Sequence, residues 1–164
     1  MIPEFSRQLP VERIGDAGFD TTVEANEAER TALAARLQLP AVGALTCRFR
    51  LRATPDGAIT AEGWLDALVT QTCVVSLDDF AAPVSDHFFI RFVPAGLESN
   101  DIDPESEDEI PYNDDSIDLG ETATEQLALA LDPWPRKPDA TLPDHEADTP
   151  TSPFATLTQR RLPT

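Results

Sequence analysis

The stretch "VTQTCVVSLDDF" (69–80) places Cys73 upstream of His87 in "SDHFFIRF", and these are the residue types of a thiolate–imidazole pair. Neighbouring strands could bring the two together. A reactive thiol, however, needs an electropositive setting and a third group to orient the imidazole. "SLDDF" supplies acids, which raise a thiol pKa rather than lower it. Cys73 is therefore expected to be a buried, inert strand residue, and His87 a surface histidine on the polar side of a strand. The other histidine, His145, falls in the C-terminal tail.

Carboxylates are the next candidates. "DIDPESEDE" (101–109) is dense in oxygen ligands but lacks the glycine turn and ligand spacing of a calcium loop. Diffuse cation condensation explains it better than a metal site. A nuclease would need clustered acids on a rigid scaffold to hold Mg²⁺, and these acids sit on an expected loop. The chain contains no phosphate-binding loop, dinucleotide fingerprint or nucleophile elbow. It is expected to be no enzyme, with no catalytic residues, no metal and no cofactor.

Positive charge is concentrated in one place. Arg48, Arg50 and Arg52 project from one face of a strand, and Arg91 extends the patch. One reading is an RNA contact, with Trp64 as a stacking platform. The other is internal. If the "TPDG" turn (54–57) pairs position 52 with 60, Arg50 faces Glu62 and Arg48 faces Trp64. Cross-strand ion-pair and cation–π contacts would then occupy the row, each worth under about 1 kcal/mol at an exposed site.

These groups belong to a chain of 164 residues, the size of one domain, with 30 acidic and 12 basic side chains and a net charge of −18. The imbalance is uneven: residues 1–96 carry −5 and residues 97–164 carry −13. Such a polyanion repels phosphate backbones at long range and suits a basic partner. Two cysteines make no disulfide framework, no secretory leader is visible in "MIPEFSRQLP", and no apolar run approaches the roughly 20 residues that span a bilayer. A cytoplasmic protein with reduced thiols and no membrane association is expected.

Periodicity supplies the framework. "GFDTTVEA" (18–25) alternates as a strand. "NEAERTALAARLQLP" reads as a helix capped by Asn26, with Glu29 closing a capping box, Leu33 and Leu37 buried, and Pro40 as stop. "ALTCRFRLRAT" (44–54) has the clearest two-residue period, and strands over about 58–77 and 82–94 follow it. Residues 97–115 hold nine acids and no base, and read as an exposed, mobile loop. A second helix begins near Asp118, which with Glu121 has capping-box spacing. Leu119, Ala123, Leu127, Ala130 and Leu131 share its face, and Pro133 ends it. The expected architecture is α+β: an antiparallel meander or open barrel with two packed helices. Residues 1–136 form the single domain, and 137–164 a disordered tail.

Four segments together resemble the YceD family of large ribosomal RNA subunit accumulation proteins, in its alphaproteobacterial form. They are "EFSRQLPVERIG", "EANEAERTALAARLQL", "VTQTCVVSL" and "IDLGETATEQLALALDPWPRKP", in that order over residues 3–138. The resemblance implies a role in 23S rRNA accumulation or processing and large-subunit assembly, with no enzymatic activity. It also bears on Cys73. Many members carry Cys-x-x-Cys where this chain reads "CVVS", and further cysteines after the last helix. Here Ser76 occupies the second position and no later cysteine exists, so a four-ligand zinc site cannot be assembled.

The expected role is thus an interaction protein. Its acidic loop, through Glu105, Glu107, Asp108 and Glu109, would bind a basic ribosomal protein or assembly factor. The alternative is direct binding of 23S rRNA or its precursor by Arg48, Arg50, Arg52, Trp64 and Arg91.

Overall fold

The computed structural model describes residues 2–100 and 103–142. Strand β1 (Gln8–Pro10) runs into a 3-10 turn at Val11–Arg13 and is followed by β2 (Phe19–Glu24) and helix α1 (Glu27–Arg36). Three long strands come next: β3 (Ala41–Ala53), β4 (Ile59–Thr72) and β5 (Asp79–Pro94). After them lie β6 (Asp108–Tyr112), β7 (Ser116–Asp118) and helix α2 (Leu119–Ala130). Five strands form one open sheet in the order β2-β3-β4-β5-β6, antiparallel except for the β5–β6 pair. β1 and β7 make a separate two-stranded ribbon. The fold is α+β, and the sheet does not close into a barrel.

The two-residue period decides which face is core. Leu45, Cys47, Phe49 and Leu51 of β3 are fully buried, with Leu65 and Val69 of β4 and Ile90 and Phe92 of β5 beside them. α1 packs on β3, and α2 packs on β4, β5 and β1, so both helices cover the same face. The α1 capping box is complete: Asn26 Oδ1 accepts from Glu29 N at 2.9 Å, and Glu29 Oε2 accepts from Asn26 N at 2.8 Å. Leu33 is buried, and Leu37 packs against the core's edge. In α2, Leu119, Ala123 and Leu127 are buried as their spacing requires, with Ala130 and Leu131 at the margin.

Asp118 caps α2, but Glu121 does not close a box on it. The Glu121 carboxylate turns to Arg36 of α1 instead, at 2.6 and 2.9 Å. That choice ties the two helices together, and Arg36 also reaches Glu4 at 3.0 Å. A second cation, Arg7, does the same for the N-terminal segment. It grips Glu29 with two nitrogens at 2.7 and 2.9 Å, donates to the Glu24 carbonyl at 3.0 Å, and lies over the Phe5 ring.

The acidic stretch 97–115 is not loop throughout. Asp108–Tyr112 adds β6 to the sheet, in parallel with Ile90–Pro94. Ile110 and Tyr112, two residues apart, are half-buried against the core, and this apolar pair holds the strand despite its acidic neighbours. Pro111 lacks an amide donor and is tolerated on such an edge strand. Of the tail expected over 137–164, residues from 143 onward lie outside the described residues. Lys137 itself is held to Asp78 at 2.8 Å.

Candidate interaction site

The acidic segment leaves β5 through a glycine turn. Gly96, at φ +91°, donates its amide to the Glu98 carboxylate at 2.8 Å. Asp103 then organises a second turn. Its carboxylate accepts the Glu105 amide at 2.9 Å, and its carbonyl accepts the Ser106 amide and hydroxyl at 3.0 and 2.8 Å. Glu105, Glu107 and Asp108 follow in sequence, all exposed. Glu109 is different: one carboxylate oxygen takes the Ser99 amide at 2.7 Å and the other lies 3.7 Å from Arg91 Nε. Of the four expected contact residues, three face solvent and the fourth is engaged within the fold.

The Arg row lies on the outer face of the sheet, opposite the helices. The register is the one the 54–57 turn predicts: Arg52 opposite Thr60, Arg50 opposite Glu62, Arg48 opposite Trp64. The Arg48 guanidinium sits 4.4 Å from the Trp64 ring centroid. Arg50 lies 3.7 Å from Glu62 and 4.0 Å from Asp20, and Arg52 lies 3.8 Å from Asp20. Arg91 pairs with Asp56 as well as Glu109. The patch that looks cationic in sequence is thus threaded with carboxylates.

Sequence reasoning missed the other half of this row. β5 places His87 directly opposite Trp64, and their rings stack at 5.1 Å with an 11° interplanar angle. Phe89 continues the line at 4.9 Å from His87 and is 52% exposed. His87 Nε2 lies 2.9 Å from Glu62 Oε1, so Glu62 serves Arg50 and His87 together. The signal was present: once the β4–β5 turn is placed at 73–78, position 87 falls opposite 64.

Cys73 departs from expectation in two respects. It is fully buried, but it stands just after β4 at the first position of the 73–78 turn, not within a strand. Its thiol is pushed down from 9.0 to about 6 by hydrogen bonding to Ser76, aided by backbone amides of Ser76, Lys137 and Val75, against the opposing effect of burial. The nearby acids point elsewhere, Asp78 toward Lys137. Cys47, buried in β3 near Asp66, is pushed the other way, up to about 12. Among the described residues no three His, Cys, Asp or Glu side chains are grouped as a metal site would need.

A pH dependence follows from Cys73. Because the folded thiol ionises more readily than the unfolded one, its contribution is fully present above pH 9 and fades as pH falls through about 6. Cys73→Ser should therefore cost more stability at pH 9 than at pH 6 in urea melts under reducing conditions. A difference that stays flat across that range would count against the hydrogen-bonded thiolate.

No helix among the described residues is long and apolar enough to cross a membrane. No curated protein and no solved structure matches the chain. One family pattern does, described as "Large ribosomal RNA subunit accumulation protein YceD", over residues 61–158. That span covers more than half of the sequence, from near the start of β4 past the end of α2, and the chain belongs to the YceD family.

Proposed function

We propose that this chain is a non-enzymatic factor that binds a basic ribosomal protein or assembly factor through its acidic segment. Family membership gives it a role in accumulation of the large ribosomal subunit RNA. The contact and its partner are our reading. The observation that carries it is the distribution of unneutralised charge. The outer-face arginines all have acidic or aromatic neighbours, whereas Glu105, Glu107 and Asp108 are exposed and, among the described residues, have no cation beside them. On a chain of net charge −18, such a segment attracts basic surfaces at long range and competes with rRNA for them.

The test uses purified basic proteins of the large subunit, titrated over a range of salt. Glu105→Ser, Glu107→Ser and Asp108→Asn together should weaken the complex by roughly tenfold at low salt and flatten its salt dependence. Glu109→Gln should change binding far less, since Glu109 is held by Ser99 and Arg91. Unchanged affinity in the triple variant would overturn the proposal. So would retention on 23S rRNA that survives this variant and is lost in Arg48→Gln, Arg50→Gln, Arg52→Gln, which would assign the contact to the sheet face.

A further inference from the structure

Strand β5 is paired on both sides only near its end. β4 pairs with it from Asp79 to Phe92, whereas β6 pairs only with Ile90–Pro94. From Asp79 to Phe89 the far edge of β5 has no strand beside it among the described residues. The backbone groups that point away from β4 therefore stand open along roughly 33 Å. Asp108, opposite Ile90, marks where this open edge ends, so the acidic segment reaches the sheet at that point.

The side chains along the edge select what can pair with it. On the inner side Phe80, Ala82 and Val84 are half-buried beside an open groove of about 310 Å³, which continues to Ala130 and Pro135. Gln71, opposite Phe80, lines the same groove and is only 6% exposed. Its Nε2 donates to the Asp132 carbonyl at 3.2 Å, and its Oε1 has no donor among the described residues. Asp86 follows on the inner side, half-buried opposite Leu65. A purely apolar strand laid here would leave that carboxylate desolvated and unpaired. A second copy of the chain would set acid against acid: between Asp79 and Phe89 β5 has two aspartates and no lysine or arginine, and each chain carries −18. Within the groove Arg136 and Asp132 offset one another. An extended strand with both apolar and basic side chains meets every requirement.

We infer that the open edge of β5 receives an extended basic segment of the partner protein as an added strand. Its apolar side chains sit on Phe80, Ala82 and Val84, and a lysine or arginine faces Asp86. This rests on the proposed basic partner and specifies how that partner is held.

The probe is a capped peptide of alternating valine and lysine, long enough to span the edge, added to the full chain. Two further versions carry N-methyl groups on alternate backbone amides, one version for each edge of the peptide strand. One should bind like the unmethylated peptide and the other at least tenfold more weakly, because only one edge of the peptide donates to β5. With the unmethylated peptide bound, those amides of residues 80–89 that face away from β4 should exchange at least tenfold more slowly. Equal affinity of the two methylated versions would overturn the inference while leaving the acidic segment's attraction intact, since charge alone ignores backbone donors. Failure of the unmethylated peptide to slow those amides would overturn it too. So would slow exchange there without peptide, which at any protein concentration assigns the edge to this chain itself and, if it rises with concentration, to a second copy. In Glu105→Ser, Glu107→Ser, Asp108→Asn the peptide should still protect residues 80–89. If basic ribosomal proteins also bind that variant undiminished, the acidic-segment reading falls and strand addition stands.

Discussion

Gly63→Ala is expected to destabilise the fold by about 2–3 kcal/mol, although alanine is an ordinary strand residue. Gly63 lies in the middle of β4, directly opposite Phe49 on one side and Phe88 on the other. The two rings lean over it and meet edge to face, 5.9 Å apart at 74°, so aromatic contact bridges β3 and β5 across the strand between them. A Cβ at Gly63 would lie 2.1 Å from Phe88 Cζ. The ring cannot swing away without losing Phe49, and both side chains are buried. Equilibrium urea unfolding measures the loss. Phe88→Leu in the Gly63→Ala background should recover part of it, giving a coupling energy above about 0.5 kcal/mol. Strictly additive effects would show that the glycine is not making room for the ring.

Asp118→Ala should cost about 3 kcal/mol and lower the melting temperature by roughly 6–12 °C. This one carboxylate receives five donors. Oδ1 accepts the amides of Arg7 at 2.8 Å, Gly120 at 3.0 Å and Glu121 at 3.1 Å, and Oδ2 accepts Ser6 Oγ at 2.6 Å and Gln8 Nε2 at 3.0 Å. It caps α2 and anchors β1 in the same act. The approach is close: a Cβ at Gly120 would come within 2.6 Å of the Phe5 carbonyl oxygen. Asp118→Asn keeps an acceptor for the backbone amides but turns an NH₂ toward Ser6 and Gln8, so an intermediate loss is expected. Calorimetry of the three proteins orders them. An alanine variant as stable as its parent would mean that water replaces all five donors without penalty.

What the sequence reveals here is what is local. The Asn26–Glu29 box spans three residues, and the Arg48–Trp64 register follows from a four-residue turn, so both can be read from short-range rules. β6 escapes those rules because its pairing is parallel and its composition acidic, and only the Ile110 and Tyr112 spacing hints at it. The ionisation of Cys73 escapes for another reason. One of its donors, the Lys137 amide, arrives from beyond α2, and no local pattern announces it. Arg7 is the same case on a larger scale, since Glu29 and Asp118 are distant in sequence. For the candidate site, the exposed acids and the Arg row were visible as residue types. The Arg50–Glu62 pair follows from the turn register, but the contacts of Asp20, from β2, and of Asp56, from the 54–57 turn, with the arginines do not.

The ribbon of β1 with β7 sets an order on how the protein is made. Leu9 finds Ile117, and Gln8 finds Asp118, only after everything between them has been synthesised. At translation rates of 5–20 residues per second, the N-terminal segment waits for roughly 5–20 s without its partner strand. Phe5 and Leu9, both buried in the finished fold, are exposed apolar side chains during that interval. The long-range pairing also raises contact order, which slows the final docking step once the chain is released. Ribosomes stalled before residue 118 would therefore hold a chain whose β hairpins can form but whose first segment has nowhere to go, a natural substrate for chaperones at the tunnel exit.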